Sequence, residues 1–172
     1  LVLGAATGAE VLQVSPGREV VALDGSIPLL GFVSGLAAAD AWLPRASTPG
    51  RYRRVRVGLP ESVRERLRAV QWVAADARQP PFAAGSFAVV VALNLLDSIS
   101  RPAAMLRAAQ ALLRPDGVLL LATPFNWDDD VAEPYLRLDR AGILNTLDRM
   151  ALVREDDAVP WELDVHDRLR VR

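Results

Sequence analysis

The sequence contains no cysteine and no lysine, and its one histidine is His166. Without cysteine there is no disulfide, no thiolate nucleophile and no cysteine-held metal. Without lysine there is no Schiff-base amine and no phosphate-loop lysine; all 20 basic residues are arginine. One histidine cannot build a histidine-rich centre, and no metal is expected. Long apolar runs are missing too. None approaches the ~20 residues that cross a bilayer, and no signal peptide is visible. The expectation is no membrane partner and a cytoplasmic location. The formal net charge is only −1, so nothing pulls the chain as a whole toward nucleic acid.

What is present is apolar material, 51% of 172 residues, enough for one domain with a sizeable core. It comes in alternating blocks. "LVLG", "EVVALD", "VQWVAAD", "FAVVVAL" and "VLLLAT" read as buried strands. Between them, residues 8–14 and 26–42, "PESVRERLRA" and "PAAMLRAAQALL" read as helices, with Pro28 in a first turn. Continuous apolar strands separated by helices predict a mostly parallel sheet covered on both faces. Residues 43–60 interrupt the pattern and are read as an insertion, with "RYRRVRVG" alternating as an exposed strand does. Residues 139–150 suggest a helix. "ALVRED" and "WELDVHDRLRVR" follow as two strands joined at "DAVP", giving the sheet an antiparallel C-terminal strand. The whole, residues 1–172, is read as one α/β domain. Leu1 already lies inside a strand pattern, so further residues are expected upstream, such as a helix covering the site.

In such sheets a ligand sits beyond the carboxyl ends of the strands, which directs attention to Gly4 to Gly8, Asp24, Asp76, Asn94 and Thr123. The opening turn reads G-A-A-T-G. It lacks the third glycine of a dinucleotide loop and the G-K-[ST] of a phosphate loop, so a phosphate cradle is disfavoured. A ligand without pyrophosphate needs less: a backbone turn for its polar tail and one acid for a ribose diol. Asp24 offers a carboxylate that can accept from two vicinal hydroxyls. Asp76 with Ala77 offers a carboxylate and an N–H for an adenine. That combination suits S-adenosylmethionine.

The order of the Gly4-to-Gly8 turn, Asp24, "AADARQPPF", "FAVVVALNLLDSI" and "LLRPDGVLLLATP" resembles a class I S-adenosylmethionine-dependent methyltransferase over residues 1–125. The resemblance implies a Rossmann-like fold with Gly4, Ala5, Ala6, Gly8, Asp24, Asp76, Ala77 and Asn94 around the cofactor. Asn94 would stand where substrate and methyl group meet. The family's D-x-G-x-G-x-G pattern is altered here, with Val2 at the acidic position and Ala6 at the second glycine. More narrowly, "NLLDSISRPAAML", "LLLATPFNW" and "VPWELDVHDRLRVR" are similar to the methyltransferase domain linked to ovothiol synthesis, which implies a small, thiohistidine-like acceptor. Phe125, Asn126, Trp127 and His166 become candidate substrate contacts.

Each candidate also has a plainer reading. Gly4 and Gly8 can simply turn the chain, and Asp24 can cap a helix. Asp76 can be a surface loop residue, and Asp97 an N-cap or turn residue. Trp127 can belong to the core, and His166 can be a surface residue of an alternating strand. Arg51, Arg53, Arg54 and Arg56 read most simply as a solvated edge that discourages strand pairing; with only Tyr52 nearby, nucleic acid is the minority partner. The oligomeric state is not legible. The rival to an enzyme is a non-catalytic S-adenosylmethionine-binding or scaffold domain with a degenerate glycine loop.

Overall fold

Two apolar residues form the centre strand of the sheet. The computed structural model describes residues 1–13, 17–48, 51–127, 129–157, 162–165 and 168–171; side chains are described outside 41–55, 57 and 162–171. Strand β1, Val2–Leu3, is flanked by β2, Val21–Asp24, which returns after a single turn of 3-10 helix at Val11–Gln13. Helix α1 is Ile27–Ala38; the Ser26 hydroxyl accepts from the Leu29 N–H at its start, and Pro28 occupies its first turn. The chain then forms an antiparallel ribbon, β3 (Ala41–Thr48) and β4 (Arg51–Val57), that is a sheet of its own. Next come α2 (Glu61–Arg68), β5 (Gln71–Ala74), β6 (Phe87–Leu93), α3 (Pro102–Leu112) and β7 (Leu113–Ala122). Helix α4, Arg140–Thr146, is capped by the Asp139 carboxylate on the Gly142 N–H.

The main sheet runs β5-β2-β1-β6-β7, with every pairing parallel. The chain winds outward from β1 to one side and then crosses to the other, so the order reverses between β1 and β6. Strand alternation sorts the core into two faces. Leu3, Leu23, Val90 and Ala92 pack with Met105, Leu106, Ala109 and Leu112 of α3. Val2, Ala22 and Val11 lie on the other face, where Trp72 joins them to Val33, Ala37 and Leu67 of α1 and α2.

Helices flank the sheet on both faces, as expected; among the described residues, Val89, Val118 and Leu120 on β6 and β7 are exposed where α1 and α2 do not reach. Two expectations are corrected. The helix expected over 26–42 ends at Ala38, where Ala39 is extended (φ −156°). Asp40 then pairs with Arg56 at the root of the ribbon and with Arg64 of α2. Finally, among the described residues no antiparallel strand joins the main sheet at the C-terminus. "ALVRED" has no strand, and the last segment forms a separate antiparallel pair, β8 (Glu162–Val165) and β9 (Arg168–Val171).

The two faces should respond differently to truncation. Leu106→Ala, fully buried, is expected to cost about 2–5 kcal/mol through lost burial and a cavity. Leu120→Ala, 54% exposed, should cost within about 0.5–1 kcal/mol. Urea unfolding of both variants checks this, and similar losses would refute the assignment of an open face.

Candidate functional site

Strand register gathers the candidates at one edge. Leu3 lies opposite Leu23 and Ala92, Asp24 opposite Ala74, and Leu93 opposite Ala122. The segments leaving these strands therefore emerge side by side: Gly4 to Gly8, Asp24 to Ser26, Ala75 to Ala77, Asn94 to Asp97, and Thr123 to Trp127.

The opening turn is tight and held from below. Gly4 has φ +68°, and a Cβ there would come within 2.8 Å of Leu95 Cδ1. Gly8 has φ +78°, with Trp72 Cη2 2.8 Å from where its Cβ would be. Between them, Ala6 adopts the left-handed φ of 41° that normally favours glycine. Ala5 is fully buried and donates its N–H to the Leu23 carbonyl at 3.0 Å, so its side chain belongs to the core. The Gly8 N–H closes the turn on the Ala5 carbonyl at 2.6 Å.

Asp24 organises this edge. Its Oδ2 accepts from the Ala6 N–H at 2.8 Å and its Oδ1 from the Ser26 N–H at 2.7 Å. One carboxylate thus ties the turn after β1 to the start of α1. An ionised carboxylate has about four acceptor sites, so each oxygen retains one for a ligand. The side chain that caps α1 is that of Ser26, so the capping role considered for Asp24 is corrected: Asp24 instead accepts the Ser26 N–H just before the helix.

Asp76 is differently placed. Its carboxylate receives the Arg78 Nε at 2.9 Å and the Arg78 Nη2 at 2.6 Å, and also the Arg78 backbone N–H at 2.8 Å. The side-chain hydrogen bond from Arg78 is the main reason that its carboxyl sits below the usual aspartate range. Arg78 in turn donates to Ser100 Oγ at 2.6 Å, strapping this loop to the one before α3. Ala77 beside it is buried in the main core.

On the other side of the crevice, Asn94 is exposed with φ 54° and donates its N–H to the Ala122 carbonyl at 2.8 Å. Phe125 is 44% exposed and also left-handed, φ 52°. Trp127 packs against the core, as its plainer reading had it. Asn126 contributes its backbone: its N–H donates at 2.8 Å to Asp97 Oδ2. His166 lies outside the described residues.

Two residues were undervalued in the sequence. Asp97 is the one buried charged side chain among the described residues, and it clasps the loops after β6 and β7 together. The signal was an acid between Leu96 and Ile99, apolar on both sides. Arg78 was overlooked because Asp76 was read without the arginine two residues on, within reach across a turn.

The fold and edge define a class: a Rossmann-like sheet in the methyltransferase strand order, with a glycine turn, a post-β2 acid and paired loops at the switch point. The sequence pattern of the methyltransferase domain family matches residues 3–159, and the chain belongs to that family. No curated protein matches the chain. Among solved structures it is similar to the PH0226 protein from Pyrococcus horikoshii OT3, with 14% identity and a TM-score of 0.57 over 86% of this chain and 70% of that one. It is similar to the YcgJ protein from Bacillus subtilis, with 19% identity and a TM-score of 0.52 over 70% of this chain and 41% of that one. The [4+2]-cyclase SpnF gives 17% identity and a TM-score of 0.56 over 86% and 48%. The chain thus spans less than half the length of YcgJ and SpnF. These likenesses show the fold, and they do not single out the ovothiol-pathway group. Among the described residues no helix is long and apolar enough to cross a membrane.

The site generates two expectations. Ala6→Gly relieves a left-handed alanine and should raise stability by up to about 1 kcal/mol in urea unfolding, the relief exceeding the entropy cost of glycine. A loss of stability would show that the turn does not hold Ala6 in that conformation. For Asp97, burial is the largest influence and raises its carboxyl above the ordinary 3.8, against the lowering effect of the N–H groups of Asn126 and of Asp97 itself. Between the ordinary and raised values the folded state keeps a proton that the unfolded chain has released. Its contribution is therefore greatest below the ordinary value and is lost as pH rises through the raised one. Asp97→Asn keeps an acceptor for Asn126 and removes the charge. Its stability should fall less than the wild type's as pH rises from the ordinary aspartate value through the raised one, and parallel curves would refute the role of charge.

Proposed function

We propose that this chain is the cofactor-binding part of an S-adenosylmethionine-dependent methyltransferase that acts on a small molecule. The observation that carries the reading is Asp24, whose carboxylate holds the glycine turn in place while keeping acceptors toward the crevice. The residues fit the tail and ribose end of the cofactor. Gly4 and Gly8 leave no room for a Cβ, so the backbone itself forms the cradle wall. The nucleobase end fits less fully, because the Asp76 carboxylate is engaged by Arg78.

When bound, S-adenosylmethionine supplies an electrophilic methyl group on sulfur. Everything else asked of the chain is positioning. Asp24 would accept from the two ribose hydroxyls, the turn Gly4–Gly8 would border the methionine tail, and the Ala77 N–H would serve the base. Asn94, exposed and left-handed at the end of β6, would border the acceptor. Direct transfer needs alignment and exclusion of water more than covalent help, and a base only where the acceptor atom carries a proton at working pH. Phe125 and Asn126 border the acceptor side. The finer reading, a thiohistidine-like acceptor, rests on the three segments similar to the ovothiol-linked domain.

The alternative is a non-catalytic binding or scaffold domain. It is favoured by Val2, which removes the acid that would meet the methionine ammonium, and by Ala6, which adds a methyl group to the turn. A nicotinamide enzyme is a further rival, opposed by the absent third glycine.

Calorimetric titration with S-adenosylhomocysteine, with NAD as control, decides among them. The expected result is micromolar binding of the first alone, weakened at least about tenfold in Asp24→Ala, since hydrogen bonds to a charged group contribute about 1.5–3 kcal/mol. Asp24→Asn, which keeps one acceptor oxygen for the turn, separates ligand loss from unfolding. Absence of binding by the folded wild type would refute the proposal in favour of the scaffold reading, and binding of NAD would support the nicotinamide one.

A further inference from the structure

Beside the loop after β7 lies a shallow, open cavity of about 540 Å³. Phe125 and Trp127 form one wall, and Arg137, Asp139 and Arg140 the other. It is separate from the glycine turn and Asp24. We propose that this cavity binds a planar ring bearing a carboxylate, with the ring on Phe125 and the carboxylate on the Arg140 guanidinium. The ligand would be the methyl acceptor, a role that rests on the methyltransferase reading; the recognition chemistry itself does not.

Phe125 supplies the aromatic face. An exposed phenyl ring in a left-handed conformation is costly twice over, in strain and in wetted apolar surface. It persists because its neighbours hold it. Thr123 Oγ1 accepts the Phe125 N–H at 3.2 Å, and Asp97 accepts the next N–H, from Asn126, at 2.8 Å. A buried carboxylate and a hydroxyl thus fix the loop that carries an aromatic face to the cavity. Such a face favours a flat partner.

The opposite wall selects charge. The two guanidiniums are not equivalent. Arg137 is mostly buried; its Nε donates to the Ala132 carbonyl at 3.0 Å and it pairs with Asp129, which makes it part of the wall. Asp139 is committed to the Gly142 N–H as the cap of α4. Arg140 is 60% exposed, and both Nε and Nη2 donate to Glu155 at 2.6 Å. This planar, two-point grip is how a guanidinium takes any carboxylate. Glu155 is itself 42% exposed, in a segment without regular structure. A water-exposed ion pair of this kind is held weakly, so a ligand carboxylate can replace Glu155 at little cost. Glu155 accordingly occupies the position of the ligand's acid group and competes with it.

The test uses indole-3-acetate and its uncharged counterpart indole-3-acetamide, titrated into the chain and followed by ligand-observed NMR. The acid should bind at least about fivefold tighter than the amide. Arg140→Gln should abolish that advantage and leave amide binding unchanged, while Phe125→Leu should weaken both ligands alike. Glu155→Gln removes the competitor and should tighten the acid by about two- to fivefold without affecting the amide. Equal binding of acid and amide, no saturable binding of either up to millimolar concentration, or weaker acid binding in Glu155→Gln would each overturn the proposal. Acid preference without any S-adenosylhomocysteine binding would sink the methyltransferase reading and leave this site standing. The reverse pattern would sink this site alone.

Discussion

The edge of this sheet depends on one carboxylate receiving two backbone N–H groups. Asp24 ends β2, yet its hydrogen bonds reach back to Ala6 and forward to Ser26. Within the turn after β1 the Gly8 N–H is satisfied by the Ala5 carbonyl, but the Ala6 N–H takes its partner from outside the turn. A charged acceptor placed by the parallel register, with Leu3 opposite Leu23, supplies the partner. Through Ser26 the same carboxylate also ties the start of α1 to the turn, so replacing Asp24 touches both.

Asp97 repeats the device under opposite conditions. It too accepts a backbone N–H from another loop, but it is buried, and desolvation works against its charge. Asp24 stays half-buried with acceptor sites to spare; Asp97 gives up solvation to hold two loops in register. The difference follows from position. Asp24 ends β2 beside the turn after β1, whereas Asp97 sits in a 3-10 turn whose neighbours pack beneath α3. Lacking lysine, the chain makes every side-chain cation from arginine, whose planar fork suits the paired contacts at Asp76 and Glu155.

Much of the architecture was legible because a parallel sheet demands long apolar strands, and "EVVALD" and "FAVVVAL" admit no other use. The order of residues at the edge was legible for the same reason: a strand's last residue marks where the crevice begins. Other features depended on contacts far along the chain. Ala41 and Trp42 continue an apolar stretch that reads as helix, and only pairing with Val57 and Arg56 makes them strand. The openness of β7 depends on where α1 and α2 stop. The pairing of Arg78 with Asp76, and of Arg140 with Glu155, is decided by loop geometry that composition does not encode. Phe125 was marked as an aromatic after a strand; its left-handed backbone, and the acid that holds its neighbour, were not.

Fold and chemistry separate at this edge. The cradle side, Gly4 to Asp24, is built from backbone and one acid, and its form follows from the sheet. The side formed by Asn94, Phe125 and Arg140 is built from side chains on loops and on α4, which the sheet does not dictate. A protein named a [4+2]-cyclase shares this fold, so the strand order alone does not select a reaction. Selection must come from the loop side, where three non-glycine features coincide: a left-handed Asn94, a left-handed Phe125 and the buried Asp97 beneath them. Strain and a buried charge are both costs to folding. Asn94, Phe125 and Asp97 bring such costs together over β6 and β7, and the left-handed Ala6 adds strain in the glycine turn, so both sides of this edge carry costs that the sheet itself does not require.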